Sequence, residues 1–469
     1  MFNYSFWADE AFISSAAQQL VKGQISFFEA IQLTGITYQK LGMLTTAASF
    51  KLFGISELTA RIPSMFMFAI GIVIIFFLAK KISNIYGSVI ASFIYGLSQL
   101  NLAYATQAKP YAAIETITLS IILLFLALNK EKKKKRVILY NVLIIMLSAI
   151  ATFLHIIALL LWIFYFLYVL TRISKMHFSQ KKILLSIIPT ILLIFLTSQL
   201  VLPEIIKLVT KKSAISHNHL YQVLRLFGYR YFLISLFAFA GFVWTFSKNK
   251  FLNISIMLYM GTLFVLVIFV QYIFNIRYVL SIFGILFLYF GVFWGEVAAK
   301  YLPKKKWLIP LTIIVIFLIS GYRITRTPQP YYNPNIDKYG DVQIANYKDF
   351  YTQLKSRHPD YRSIPIFNDT CDTEEWYLDR YANVHFQKSV NKPYRHPVSN
   401  TMVYGSLADF RKEMKKYPRG LVIVEDWQSF FPEDIKQYIK QNLKLEYRIE
   451  SLKEAKDDPW PLALYTWGM

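Results

Sequence analysis

Residues 107–153 read QAKPYAAIETITLSIILLFLALNKEKKKKRVILYNVLIIMLSAIATF, and the fold class follows from this stretch. Two apolar runs, 112–129 and 137–153, flank the cluster KEKKKKR at 130–136. A membrane-crossing helix needs roughly 20 mostly apolar residues, and each run approaches that length. Bases packed between two such runs mark a loop on the cytoplasmic side of a membrane. Outward from this hairpin, further apolar segments fall at 62–79, 86–106, 156–171, 183–202, 232–247, 251–274, 278–298 and 307–322, making ten in all. The expected fold class is a polytopic α-helical membrane protein.

Composition agrees. Of 469 residues, 55% are hydrophobic and only 17% charged, with mean hydropathy +0.38. Soluble domains carry about 25% charge, so intrinsic disorder, a disulfide scaffold and a plain cytosolic enzyme are excluded. The net charge of +23 invites a nucleic-acid reading, until the chain is divided. Residues 1–322 hold 29 basic and 8 acidic side chains, whereas 323–469 hold 22 and 20. The excess belongs to the oily part, where it marks loops, and no nucleic-acid partner is expected. The single cysteine, Cys371, excludes an internal disulfide.

Alternate connections give the orientation. One set, from Lys80 and Lys81 through 130–136, Arg172, Lys175, Lys181, Lys182, Lys248, Lys250, Lys300 and Lys304 to Lys306, carries 18 bases. The other has Lys109, Arg277 and five in the loop 203–231. The first set is therefore cytoplasmic, and residues 1–61, the turn 107–111, the loop 203–231 and the tail lie outside. An outer N-terminal stretch of 61 residues with no span or signal before it implies a missing upstream helix. Two domains are expected: a membrane domain over 1–322, whose first outer loop is 1–61, and a soluble extracytoplasmic α/β domain over 323–469. In the latter, short apolar runs at 364–367, 421–424 and 462–466 read as strands. Amphipathic stretches near 343–355, 405–416 and 433–442 read as the helices between them.

Only eight acids occupy the membrane half, so each needs a reason. Glu131 and Glu296 are loop and interface charges. Asp9 and Glu10 are adjacent, outside, and embedded in FWADEAFISSAAQQLV, where Phe12, Ala16 and Leu20 share a helical face suited to lying on the membrane. Asp9 is either the cap of that helix or a general base that deprotonates a hydroxyl as it attacks. Glu115 lies inside a span, where an acid is costly without a partner, and nearby Lys109 is the expected local one. The outer cations Lys109 (beside Pro110 and Tyr111), Arg277 (beside Tyr278) and Arg61 either snorkel to headgroups or hold a phosphate leaving group. His155, at an outer helix end, reads as a packed residue before an acid–base group. In the tail, Trp376, Tyr377, Trp427 and Trp460 are placed in the core ahead of sugar stacking.

The order WADEAF, YQKLGML, LFGISELTARIPS, YATQAKPYA and a late Arg-Tyr pair resembles the C-type membrane glycosyltransferases, in particular the bacterial branch of glycosyltransferase family 39. That branch is related to the protein O-mannosyltransferases and the aminoarabinose transferases of lipid A. The likeness covers residues 1 to about 130 well, and the later spans in layout. It implies Asp9 as the catalytic acid with Glu10 as its companion, and Lys109 and Tyr111 facing the donor phosphate. Arg61 and Arg277 join that phosphate group; Tyr278, Glu115, His155 and Lys40 are further candidates by position in the sequence, not by the resemblance. The sequence departs from the family at Gln107, where relatives carry an acid, and at Lys40 and Leu41, where relatives carry a proline pair.

The implied activity is inverting transfer of a sugar from a polyprenyl-phosphate donor to a hydroxyl of a glycan, lipid or protein acceptor. It needs no cofactor or metal and takes place on the outer face of the cytoplasmic membrane, in contact with membrane lipids. A lipid or sugar transporter or flippase would be expected to show broken spans in matched halves. A non-catalytic scaffold keeping the fold is the remaining alternative.

Overall fold

The computed structural model describes residues 5–6, 8–33, 40–173, 218–271, 274–324, 345–369, 373–388, 390–396, 399–425, 429–450 and 461–469, and the statements below concern these. The chain divides into two compact units. One contains Met1–Thr37, Gly42–Ile62 and Pro330–Met469; the other contains Tyr38–Leu41 and Pro63–Gln329.

The second unit is helical and apolar. Five helices are long and apolar enough to cross a membrane: Glu57–Ile82, Tyr111–Lys130, Lys134–Leu154, Lys250–Val270 and Ile276–Tyr301. Leu220–Arg230 and Phe232–Phe246 make a sixth if taken as one span, bent by 87°. Ile85–Leu97, Ile156–Leu170 and Leu308–Ser320 are shorter apolar helices. Nine of the ten expected segments fall on these helices, five of them long enough to cross a membrane and a sixth if the bent pair is one span; 183–202 lies outside the described residues. The breaks have local causes. Ser98 (ψ 124°) leaves the helical conformation inside the expected span 86–106, and its hydroxyl caps the next helix by accepting from the Asn101 N–H. At His155 the backbone is extended (φ −165°), ending one helix before the next begins.

Two helices form the centre. The apolar windows of Tyr111–Lys130 and Ile276–Tyr301 are each 78% buried, against 28% for Lys134–Leu154, which faces outward from the bundle. The helices Ile85–Leu97 and Leu280–Tyr301 cross with their backbones in contact. A Cβ added to Gly291 would sit 2.5 Å from the Gly87 carbonyl oxygen, so only glycine permits the approach. Asn84 locks this crossing by donating to the Gly295 carbonyl at 2.9 Å.

The first unit is built on a seven-stranded sheet. Its strands are β1 (Ile366–Asn368), β2 (Val384–Phe386), β3 (Tyr394–Arg395), β4 (Met402–Tyr404), β5 (Gly420–Glu425), β6 (Lys444–Ile449) and β7 (Leu462–Trp467). Their spatial order is β3-β4-β2-β1-β5-β7-β6, with β4, β2, β1 and β5 parallel. Successive side chains take opposite faces. Ile366, Leu421, Ile423 and Leu464 pack with Phe350 and Leu354 of the helix Tyr347–Arg357. Phe367, Val422, Val424 and Ala463 pack with Phe410, Ile435 and Ile439, from helices Leu407–Met414 and Glu433–Asn442. A parallel strand covered on both faces reads as a continuous apolar run, which is why LVIV was visible as a strand.

Residues of the first loop, expected in the membrane domain 1–322, pack within the sheet-bearing unit. Phe6 lies 4.9 Å and Phe50 5.8 Å, centroid to centroid, from the Trp376 ring. The Phe6 N–H donates to the Tyr377 hydroxyl at 2.8 Å. The helix Ala8–Val21 buries Ala11, Ile13, Ala16 and Ala17 and packs against the helix Thr373–Leu378 of this unit. Of the face expected to rest on lipid, Ala16 is buried and Phe12 and Leu20 are half-buried.

Candidate functional site

In the membrane unit, three separate segments converge. Lys109 occupies the turn between helices Gln99–Ala105 and Tyr111–Lys130 and is buried. Ser64 fixes the turn by donating from its hydroxyl to the Lys109 carbonyl at 2.6 Å. Pro110 caps the following helix, where its missing N–H costs nothing. Tyr111, the first residue of that helix, is buried, with its ring 5.8 Å from that of Tyr104 and 5.6 Å from that of His155.

The second segment is the 3-10 turn Ile276–Val279. Asn275 caps it by accepting from the Arg277 N–H at 3.1 Å, and also accepts from the Tyr104 hydroxyl at 3.5 Å. The half-buried Arg277 guanidinium lies 5.7 Å from the Tyr111 ring centroid and 5.3 Å from that of Tyr278, within cation–π range. His155 supplies the third segment, its ring 6.1 Å from that of Tyr278 and under the field of both Arg277 and Lys109. Its Nδ1 accepts from the Ile157 N–H at 3.2 Å. A ring nitrogen that accepts carries no proton, so the neutral imidazole bears its hydrogen on Nε2.

Lys109, Tyr111, Arg277, Tyr278 and His155 thus form one cluster of two cations, neutral donors and aromatic walls. Such a group suits an anion with some apolar character. Tyr104 and Asn275 also belong to it and were missed; the Asn-x-Arg spacing of a side-chain cap was their only local signal.

Glu115 is placed differently from expectation. Its carboxylate accepts from the Tyr95 hydroxyl at 3.1 Å and from the Asn101 side-chain amide at 3.4 Å, and these replace the expected pair with Lys109. Lys40 opens the helix Lys40–Phe53, half-buried, and no described contact joins it to the cations.

In the sheet-bearing unit, Glu10 and Arg61 pair with each other. Arg61 donates from Nε to Glu10 Oε1 at 3.1 Å and from Nη2 to Oε2 at 3.3 Å, and both side chains are 0% exposed. Nη2 also donates to the Ser5 carbonyl at 3.2 Å, and the guanidinium lies 4.9 Å from the Phe6 ring centroid. Arg61, expected on a phosphate, and Glu10, expected beside the base, thus bind each other away from solvent. Asp9 stands next to Glu10 in the first turn of Ala8–Val21, half-buried. Trp376 and Tyr377 are core residues, while Trp427 and Trp460 lie outside the described residues.

A bundle of apolar helices joined to a mixed α/β sheet unit defines a polytopic membrane protein with an appended globular domain. The solved structures add the particular fold. ArnT from Cupriavidus metallidurans in the apo state matches with TM-score 0.58 at 10% identity, over 99% of this chain and 94% of that one. ArnT bound to undecaprenyl phosphate matches with TM-score 0.58 at 12% identity over the same shares. The apo oligosaccharyltransferase of Archaeoglobus fulgidus matches at TM-score 0.49 and 10% identity, over 90% of this chain and 66% of that one. No family model and no curated protein matches the sequence. At these identities the likeness is one of fold, and the fold is the one implied by the resemblance to the C-type membrane glycosyltransferases.

Proposed function

We propose that this chain is a membrane glycosyltransferase that moves a sugar from a polyprenyl-phosphate donor to a hydroxyl acceptor. The observation that carries the proposal is the cluster of Lys109, Tyr111, Arg277, Tyr278 and His155 within one unit. A polyprenyl phosphate presents one phosphate on an apolar tail, and this cluster offers cations and hydroxyls among rings. That ArnT, which has the same fold, was solved with undecaprenyl phosphate supports the reading.

The chemistry is displacement at the anomeric carbon. Asp9 takes the proton of the attacking hydroxyl, the new glycosidic bond forms as the bond to the phosphate oxygen breaks, and the configuration inverts. The leaving phosphate gains a negative charge, which Lys109 and Arg277 offset, with Tyr111 donating a hydrogen bond. Glu10 and Arg61 hold the start of the helix that carries Asp9. The basic loops set the cytoplasmic side, so the reaction is assigned to the outer face of the cytoplasmic membrane, with 323–469 extracytoplasmic. The acceptor is a glycan, lipid or protein hydroxyl.

The test is transfer in membranes supplied with a panel of radiolabelled polyprenyl-phosphate sugars. Wild type transfers from one donor and Asp9→Asn loses activity by about a hundredfold or more. Unchanged transfer by Asp9→Asn removes it as the base, and no transfer from any donor removes the function.

A further inference from the structure

Glu115 stands one turn beyond Tyr111 on the helix Tyr111–Lys130 and is 1% exposed. Its two donors lie on two other helices, Tyr95 on Ile85–Leu97 and Asn101 on Gln99–Ala105. A fourth helix touches it as well. A Cβ built on Gly284, in Leu280–Tyr301, would come within 3.0 Å of Glu115 Oε1 and 3.2 Å of its Cγ. Glycine at 284 therefore leaves the space that the carboxylate fills.

Three of these helices deliver the cation cluster. Gln99–Ala105 leads into the Lys109 turn, Tyr111 opens Tyr111–Lys130, and the turn bearing Arg277 and Tyr278 runs directly into Leu280–Tyr301. An acid in an apolar bundle is costly, and a leucine would fill the same volume without that cost. What leucine would not do is bond to two helices at once.

The geometry points to Glu115 as a positioning residue that sets the spacing between the Lys109–Tyr111 turn and the Arg277–Tyr278 turn, and through it the grip on the lipid phosphate. This rests on the reading of that cluster as the phosphate site. Glu115 itself touches no substrate.

The test measures binding of undecaprenyl phosphate to the full chain in detergent, with the thermal midpoint recorded for each variant. Glu115→Gln keeps an acceptor for Asn101 and a hydrogen-bonding group for Tyr95, so it binds within about threefold of wild type. Glu115→Ala loses about tenfold. Tyr95→Phe and Gly284→Ala, milder changes at the same node, fall between. Wild-type affinity in Glu115→Ala overturns the inference. So does Glu115→Gln binding as weakly as Glu115→Ala, because the requirement is then charge and not geometry. Lys109→Ala is the separate control: if it binds as tightly as wild type, the phosphate site itself is wrong, whatever Glu115 does.

Discussion

Arg61 and Glu10 form a two-pronged ion pair, with Nε to Oε1 at 3.1 Å and Nη2 to Oε2 at 3.3 Å, sealed from solvent beside Asp9. Removing one partner of such a pair leaves a buried charge alone, at a cost of about 3–5 kcal/mol. Arg61→Met and Glu10→Ala are each expected to lower the thermal midpoint sharply. The double variant is expected to recover part of the loss, since no uncompensated charge remains. Additive losses in this double-mutant cycle would contradict the pairing.

Asp369, at the end of β1, is fully buried and accepts from the Phe430 N–H at 2.6 Å. Burial raises its pKa to about 6, against the opposing hydrogen bonds from 429–431. Below the unfolded value near 4, both states are protonated and the group costs nothing. Between about pH 4 and 6 the unfolded chain ionises first, so stability falls, and above 6 the full penalty is present, on the order of 2–3 kcal/mol. Asp369→Asn is expected to raise the thermal midpoint at pH 7.5 and to raise it by much less at pH 4.5. An equal shift at both values would sink this account.

At the crossing of Ile85–Leu97 and Leu280–Tyr301, Gly291 leaves no room for a side chain, and the atom in the way is the Gly87 carbonyl oxygen. Gly291→Ala must push backbone against backbone, which costs about 1–3 kcal/mol. Gly261, with nothing within 4 Å of an added Cβ, is the control. Gly261→Ala is expected to be neutral or slightly stabilising; if the two variants melt alike, the helices do not cross at Gly87 and Gly291.

Orientation has its own test. A periplasm-active reporter fused after Tyr322 is expected to be active, and one fused within the basic segment 130–136 is expected to be silent. The reverse pattern would overturn the assigned sides.

What the sequence made legible, and what it hid, divides along physical lines. Runs that are apolar throughout, such as LVIV in β5 and the helices around 130–136, announce themselves because burial on all sides leaves one residue class. Lys109 and Arg277 stood out in the sequence because cations are rare at the ends of apolar segments. The breaks at Ser98 and His155 were partly hidden: both depend on one backbone torsion inside an apolar run. Three-residue strands such as β2 and β4 are too short to show a period. The packing of Phe6 and Phe50 on Trp376, and the pairing of Arg61 with Glu10, join positions far apart in the chain, so no local pattern reports them.

The central claim is that Lys109 and Arg277 hold the phosphate of a polyprenyl donor, and the direct measurement is undecaprenyl phosphate binding to wild type and the Lys109→Ala/Arg277→Ala double variant at fixed ionic strength. Charge-assisted hydrogen bonds contribute about 1.5–3 kcal/mol each, so the double variant is predicted to bind at least about a hundredfold more weakly while still folded at the assay temperature. Equal affinity in the two proteins would contradict the claim.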